Sequence, residues 1–243
     1  MNEEKQRKSA FYDAALCIAL YLLCVSIPAP AFLEQASFTG ALRFLFLPLI
    51  ALILFPEGIS FPIDWKRVFL CAPVLLATLG NIASLPFQSS VHAPNADSLL
   101  RLSLFTVATA VGEEWVFRYG VFRYLGKSKW KRFDILISAA VFSVCHLFAL
   151  LSGAAILPTF AQAGYTFALG ILLGFVYKFA GLLPVILIHF FFNLFQNDLF
   201  TLCCDPQWNA PFFLFNIVCF GMALGYALLL WLKAKKKQNL LIL

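Results

Sequence analysis

Residues 99–121, LLRLSLFTVATAVGEEWVFRYGV, have the length and apolarity of a transmembrane helix yet carry Glu113, Glu114 and Arg118. An ionised side chain at the centre of a bilayer costs about 3 kcal/mol by insertion measurements and more in simulation. Three such groups clustered within one and a half turns exceed what anchoring requires. Two other apolar stretches carry similar groups: His146 in VFSVCHLF, and His189 with Asn193 in LIHFFFNLF. Ionisable side chains inside membrane spans mark functional sites by default, so this set points to chemistry within the membrane.

The composition sets the background. Of 243 residues, 62% are hydrophobic and 12% charged, whereas soluble domains carry about 25% charged residues. The chain reads as all-α, a polytopic membrane helical bundle, with no length left for a separate soluble domain. A single integral membrane domain over 1–243 is expected, its motif-bearing core at about 99–200. The seven cysteines lie mostly within apolar runs, where a thiol behaves as a small hydrophobe, and no disulfide framework is expected. The first ten residues, MNEEKQRKSA, are mixed in charge and no cleavage site follows, so the first apolar run is expected to be retained.

Apolar runs bounded by charge, proline and glycine predict about eight spans: 10–33, 40–55, 68–87, 98–121, 133–151, 157–179, 182–202 and 211–231. With the N-terminus cytoplasmic, 15 of the 18 basic residues fall on cytoplasmic loops and ends. This bias predicts both termini inside. The net charge of +6 is thereby read as a topology signal, and no nucleic-acid partner is expected. Arg43 and Arg101 sit just inside the outer ends of their spans. The first three spans are expected to hold almost no ionisable groups, Asn81 being their one polar break, and this asymmetry argues against the matched halves of many transporters.

Glu114 and Arg118 are spaced i, i+4, acid first, as an intrahelical ion pair requires. Glu113 lies about 100° round the helix, cannot share that pairing as well, and is expected to be left unpaired. A carboxyl so placed in low dielectric suits a general acid or base. Phe142 and His146, and likewise His189 and Asn193, share helix faces at the same spacing. At 1.5 Å per residue, Glu113 and His189 lie about 12 Å from the cytoplasmic ends of their helices, Asn193 about 18 Å and His146 about 20 Å. A carboxylate, two imidazoles and an amide at one level provide for water activation and oxyanion stabilisation. His92, in SSVHAPNADS, reads as a solvated loop residue.

In this order and spacing, Glu113-Glu114-x-x-x-Arg118, Phe142-x-x-x-His146 and His189-x-x-x-Asn193 resemble the motifs of the CPBP family. These are intramembrane endopeptidases, also called the CAAX protease and bacteriocin-processing or Abi family. The resemblance covers about residues 99–200. It implies that Glu113 activates the hydrolytic water with help from His146, that His189 and Asn193 stabilise the oxyanion, and that Glu114 and Arg118 hold their helix in place. No cofactor is expected. The alternative is a divalent metal such as zinc on Glu113, His146 and His189, an open three-ligand set. The chain has no H-E-x-x-H helix, and Asn193 is a poor zinc ligand.

The expected activity is therefore hydrolysis of a peptide bond in membrane-associated peptides or protein tails, of CAAX type or as leader or signal peptide processing. The partners are a membrane-anchored substrate and the lipid bilayer, and the short loops suggest a bacterial cell membrane. The alternative is a non-enzymatic membrane protein, either a transporter or an immunity protein that sequesters a peptide, using the same polar layer to bind.

Overall fold

The computed structural model describes residues 3–28, 35–59, 63–91, 93, 95–205 and 209–240. His92 and the end of the first predicted span, 29–33, lie outside the described residues. Apolar runs fold into helices because a backbone in lipid must satisfy its own hydrogen bonds, and among the described residues no strand forms. Among the described residues five helices are long and apolar enough to cross a membrane: Glu4–Ser26, Trp65–Phe87, Lys131–Ser152, Ile156–Ala180 and Ala210–Lys236. The remaining three predicted spans correspond to two shorter apolar helices, Gly40–Leu54 and Leu182–Phe195, and to the charged stretch 98–121. The protein is a helical integral membrane bundle; the count of eight crossings depends on those last three.

In chain order the α-helices are α1 (Glu3–Ser26), α2 (Gln35–Leu54), α3 (Trp65–Cys71), α4 (Leu79–Ser84), α5 (Ala96–Glu114) and α6 (Phe122–Gly126). They continue with α7 (Asp134–His146), α8 (Ile156–Ala180), α9 (Leu182–Phe192), α10 (Leu199–Cys203) and α11 (Ala210–Leu240). Several predicted spans are helical throughout but not α throughout. Between α3 and α4 the chain tightens to a 3-10 helix over Ala72–Thr78, with Pro73 in its first turn. Proline has no N–H and its ring crowds the carbonyl one turn back. Between α5 and α6 the chain widens to a π-helix over Trp115–Val121, and a second π-helix follows α9 over Asn193–Asp198. Gly181 joins α8 to α9 at φ +85°, a backbone region that only glycine enters without strain.

The described chain divides into two compact units. The first comprises Met1–Phe61 and Val111–Gly174, the second Pro62–Ala110 and Phe175–Leu243.

In the first unit α1 packs on α2 and on the π-helix Trp115–Val121. Its buried face is Ala10, Ala14, Cys17, Tyr21 and Cys24, spaced four and three apart as one helical stripe requires. The α7–α8 contact is closer still. A Cβ on Gly170 would meet the Ala139 Cβ at 2.8 Å and its Cα at 2.9 Å, and one on Gly174 would meet Ile135 Cγ2 at 2.9 Å. Small residues one turn apart let two backbones approach, which is how helices associate in lipid. Gly170→Ala is expected to destabilise the protein by about 1–3 kcal/mol through overpacking. Gly164→Ala, on the same helix with open space around its Cβ, is the matched control and should be neutral or better. Thermal unfolding of the two variants in detergent checks the difference.

In the second unit α11 packs along the 3-10 segment Ala72–Thr78 and α4. Asn81, the polar break noted in the sequence, is buried there and accepts a 2.7 Å hydrogen bond from Asn216 Nδ2. Arg67 donates to the Phe179 carbonyl near the end of α8 at 3.0 Å, a cation at a helix C-terminus. The cysteines are free thiols, as expected.

Candidate active site

Glu113 and Glu114 close α5 in the first unit and are both buried, at 3% and 0% exposure. Their side chains diverge as the 100° rotation predicts. Glu114 Oε2 meets Arg118 Nε at 3.3 Å, both side chains being fully buried. The predicted i, i+4 pair therefore forms, although Arg118 lies in the π-helix. Arg118 also donates from Nη2 to the Gly170 carbonyl at 3.4 Å, and its guanidinium lies 4.6 Å from the centroid of the Phe142 ring. A desolvated guanidinium over an aromatic face gains about 2 kcal/mol, which offsets part of the cost of burial.

Phe142 thus links two of the motifs. Its ring takes the Arg118 cation on one side and packs edge-on against the His146 ring at 4.7 Å. It also meets Phe117 at 5.0 Å, and Phe117 in turn meets Tyr21 at 5.3 Å. His146, half-buried at the end of α7, has Nδ1 2.9 Å from the Phe142 carbonyl. A carbonyl only accepts, so Nδ1 carries the hydrogen, and in the neutral ring Nε2 holds the lone pair. The π-helix is braced from the same side, since Ser138 donates to the Phe117 carbonyl at 2.9 Å.

Glu113 departs from the sequence expectation. It is not left without a partner: the Tyr21 hydroxyl on α1 donates to Oε1 at 3.0 Å, and Arg43 Nη2 on α2 approaches the same oxygen at 3.5 Å. The Arg43 guanidinium also lies 6.0 Å from the Tyr21 ring centroid. The first spans, expected to hold almost no ionisable groups, thus contribute Tyr21 and Arg43 to the surroundings of Glu113. Helical spacing reveals only neighbours on the same helix, whereas these partners come from 92 residues away for Tyr21 and from a neighbouring helix for Arg43. The available signal was Arg43 itself, a cation inside the end of an apolar run, which reads equally well as a topology marker.

His189 and Asn193 belong to the second unit. His189 is buried at 1% exposure on α9. Asn193 is half-buried, and its N–H still bonds the His189 carbonyl, so the shared face predicted by i, i+4 spacing persists to the point where the π-helix begins. π-Turns within α-helices concentrate at functional sites, and here each of the two begins at or just after a motif residue. Neither is signalled by residue type.

Glu113 and His146 of the alternative metal set lie in the first unit and His189 in the second. Among the described residues no three His, Cys, Asp or Glu side chains are grouped to hold a metal ion.

Residues 95–195 match the family model of the Rce1-like, type II CAAX prenyl endopeptidases. The match spans less than half of the chain but contains all three motifs. It bears out the resemblance to the CPBP family, whose Rce1-like members are CAAX endopeptidases and hence hydrolases. No curated protein and no solved structure matches the chain.

Proposed function

We propose, for a chain whose residues 95–195 match the Rce1-like family, an intramembrane glutamate-type endopeptidase that cuts the C-terminal tail of a membrane-anchored substrate. The observation that carries this reading is Glu113, a carboxylate at 3% exposure with a guanidinium and a hydroxyl on one oxygen. Burial alone favours the neutral acid, and a nearby cation and a donor hydrogen bond favour the charged form. Only the charged form can take a proton from water.

In this reading Glu113 removes a proton as the water oxygen attacks the scissile carbonyl carbon, and the His146 Nε2 lone pair orients the same water. Donors on His189 and Asn193 stabilise the oxyanion. The proton held by Glu113 passes to the leaving amine as the C–N bond breaks, which yields a new C-terminal carboxylate and a free peptide amine. The substrate class follows from the family's description: a CAAX tail carries a prenylated cysteine, and a prenyl chain partitions into lipid. The basic bias of the loops supports cytoplasmic termini and access from the cytoplasmic side.

The test is cleavage of a farnesylated CAAX peptide in liposomes by purified protein, with products identified by mass. His189→Ala and Asn193→Ala are each expected to lower kcat about 10²–10³-fold, the measured effect of losing an oxyanion donor, with KM changed far less. Normal turnover by both variants would remove the oxyanion assignment. Binding of peptides without any cleavage would favour the sequestering or transport alternative.

A further inference from the structure

We infer that Tyr21 and Arg43, on helices outside the segment that matches the family, are positioning residues that hold Glu113 ionised and fix its orientation. The inference rests on the reading of Glu113 as the base. Three helices bring one side chain each to a single atom. Tyr21, at 4% exposure, donates to Glu113 Oε1 at 3.0 Å, and Arg43, whose side chain is 23% exposed, reaches the same oxygen at 3.5 Å. Arg43 in turn lies near the Tyr21 ring, so each partner helps to set the other.

The charge balance explains why a second arginine is needed. Two buried carboxylates are adjacent in sequence, and the nearest cation on their own helix is committed elsewhere. Arg118 is in contact with Glu114, the Gly170 carbonyl and the Phe142 ring. From α7, Cys145 lies within electrostatic reach of Glu113 but is a buried thiol and brings no positive charge. Arg43 from α2 brings a cation to Glu113, and Tyr21 from α1 brings a donor that fixes the rotation of the carboxyl. A base for water activation needs both properties. An un-ionised carboxyl accepts no proton, and a freely rotating one loses the near-attack geometry that proximity provides.

The first readout does not depend on a substrate. Infrared difference spectra between wild type and Glu113→Gln in liposomes at neutral pH isolate the absorption of this one side chain. Wild type is expected to show an ionised carboxylate. Arg43→Gln is expected to convert it to the protonated carboxyl band, and Arg43→Lys to retain the carboxylate. Tyr21→Phe, which removes one oxygen and little packing, is expected to shift the carboxylate band through the lost hydrogen bond. A protonated carboxyl in wild type, an unchanged carboxylate in Arg43→Gln, or an unmoved band in Tyr21→Phe would each overturn the inference.

The second readout is turnover of the farnesylated peptide. Tyr21→Phe and Arg43→Gln are expected to lower kcat about tenfold to hundredfold, the range for hydrogen bonds to charged groups, with KM unchanged and with Arg43→Lys recovering most of the loss. A loss confined to KM would make Arg43 a substrate contact instead. Glu113→Gln measured in parallel separates the two levels. If it still turns over, the base assignment fails. If it is dead while the Tyr21 and Arg43 variants match wild type, only this inference fails.

Discussion

Glu113→Gln is expected to lower kcat by about 10²–10⁴-fold, the range that a positioned general base contributes, while KM and insertion stay close to wild type. The substitution is nearly isosteric. The amide oxygen can still accept from the Tyr21 hydroxyl, so the contact across 92 residues persists and α1 keeps its place. What is lost is the negative charge that meets Arg43 at 3.5 Å and the capacity to take a proton. A drop in kcat and kcat/KM by equal factors identifies an interaction made in the transition state alone. A rise in KM with kcat intact would instead place Glu113 in substrate binding. Stopped assays over a range of substrate concentration in liposomes separate the two.

Arg118→Met has the largest expected effect on folding, a loss of about 3–5 kcal/mol, because removing one member of a buried ion pair leaves the other charge in low dielectric. Both Arg118 and Glu114 are fully buried, and the same guanidinium joins α8 through Gly170 and α7 through Phe142. Methionine fills much of the same volume, so charge rather than cavity dominates the loss. Replacing the pair together, as Glu114→Gln with Arg118→Met, is expected to recover a good part of it, since neutral replacements of buried ion pairs are often tolerated. Thermal unfolding of the two single variants and the double variant measures the coupling directly. Equal loss in the single and the double variant would mean that the Phe142 and Gly170 contacts, rather than the pair, carry the effect. The carboxylate assigned to chemistry is thereby separable from the one assigned to structure: Glu113→Gln should kill turnover in a stable protein, and Arg118→Met should damage the fold first.

Much of this was legible in the residues alone, and for identifiable reasons. Hydropathy marks helices because lipid offers the backbone no alternative partner, and residues four apart on a helix face the same way. The Glu114–Arg118 pair, the shared face of His189 and Asn193, and the placement of Phe142 beside His146 all follow from that spacing. What spacing cannot carry is contact between helices. Tyr21 is one aromatic among many in an apolar run and Arg43 sits just inside a span end, yet both converge on Glu113. The two π-helices escaped for a related reason. Widening a helix by one residue per turn depends on what packs against it, here Ser138 taking the Phe117 carbonyl, and no local residue type announces it. Hydropathy counts eight spans where five helices among the described residues are long and apolar enough to cross, because 99–121 carries charges and the helices Gly40–Leu54 and Leu182–Phe195 are short.

The measurement that bears most directly on the central claim is side-by-side cleavage of a farnesylated CAAX peptide by wild type and Glu113→Gln, in the same liposomes, with products read by mass spectrometry. The account predicts that wild type releases the residues after the prenylated cysteine and leaves that cysteine with a free carboxylate, while the variant returns the peptide intact. Release of the same products by Glu113→Gln at a comparable rate would contradict it.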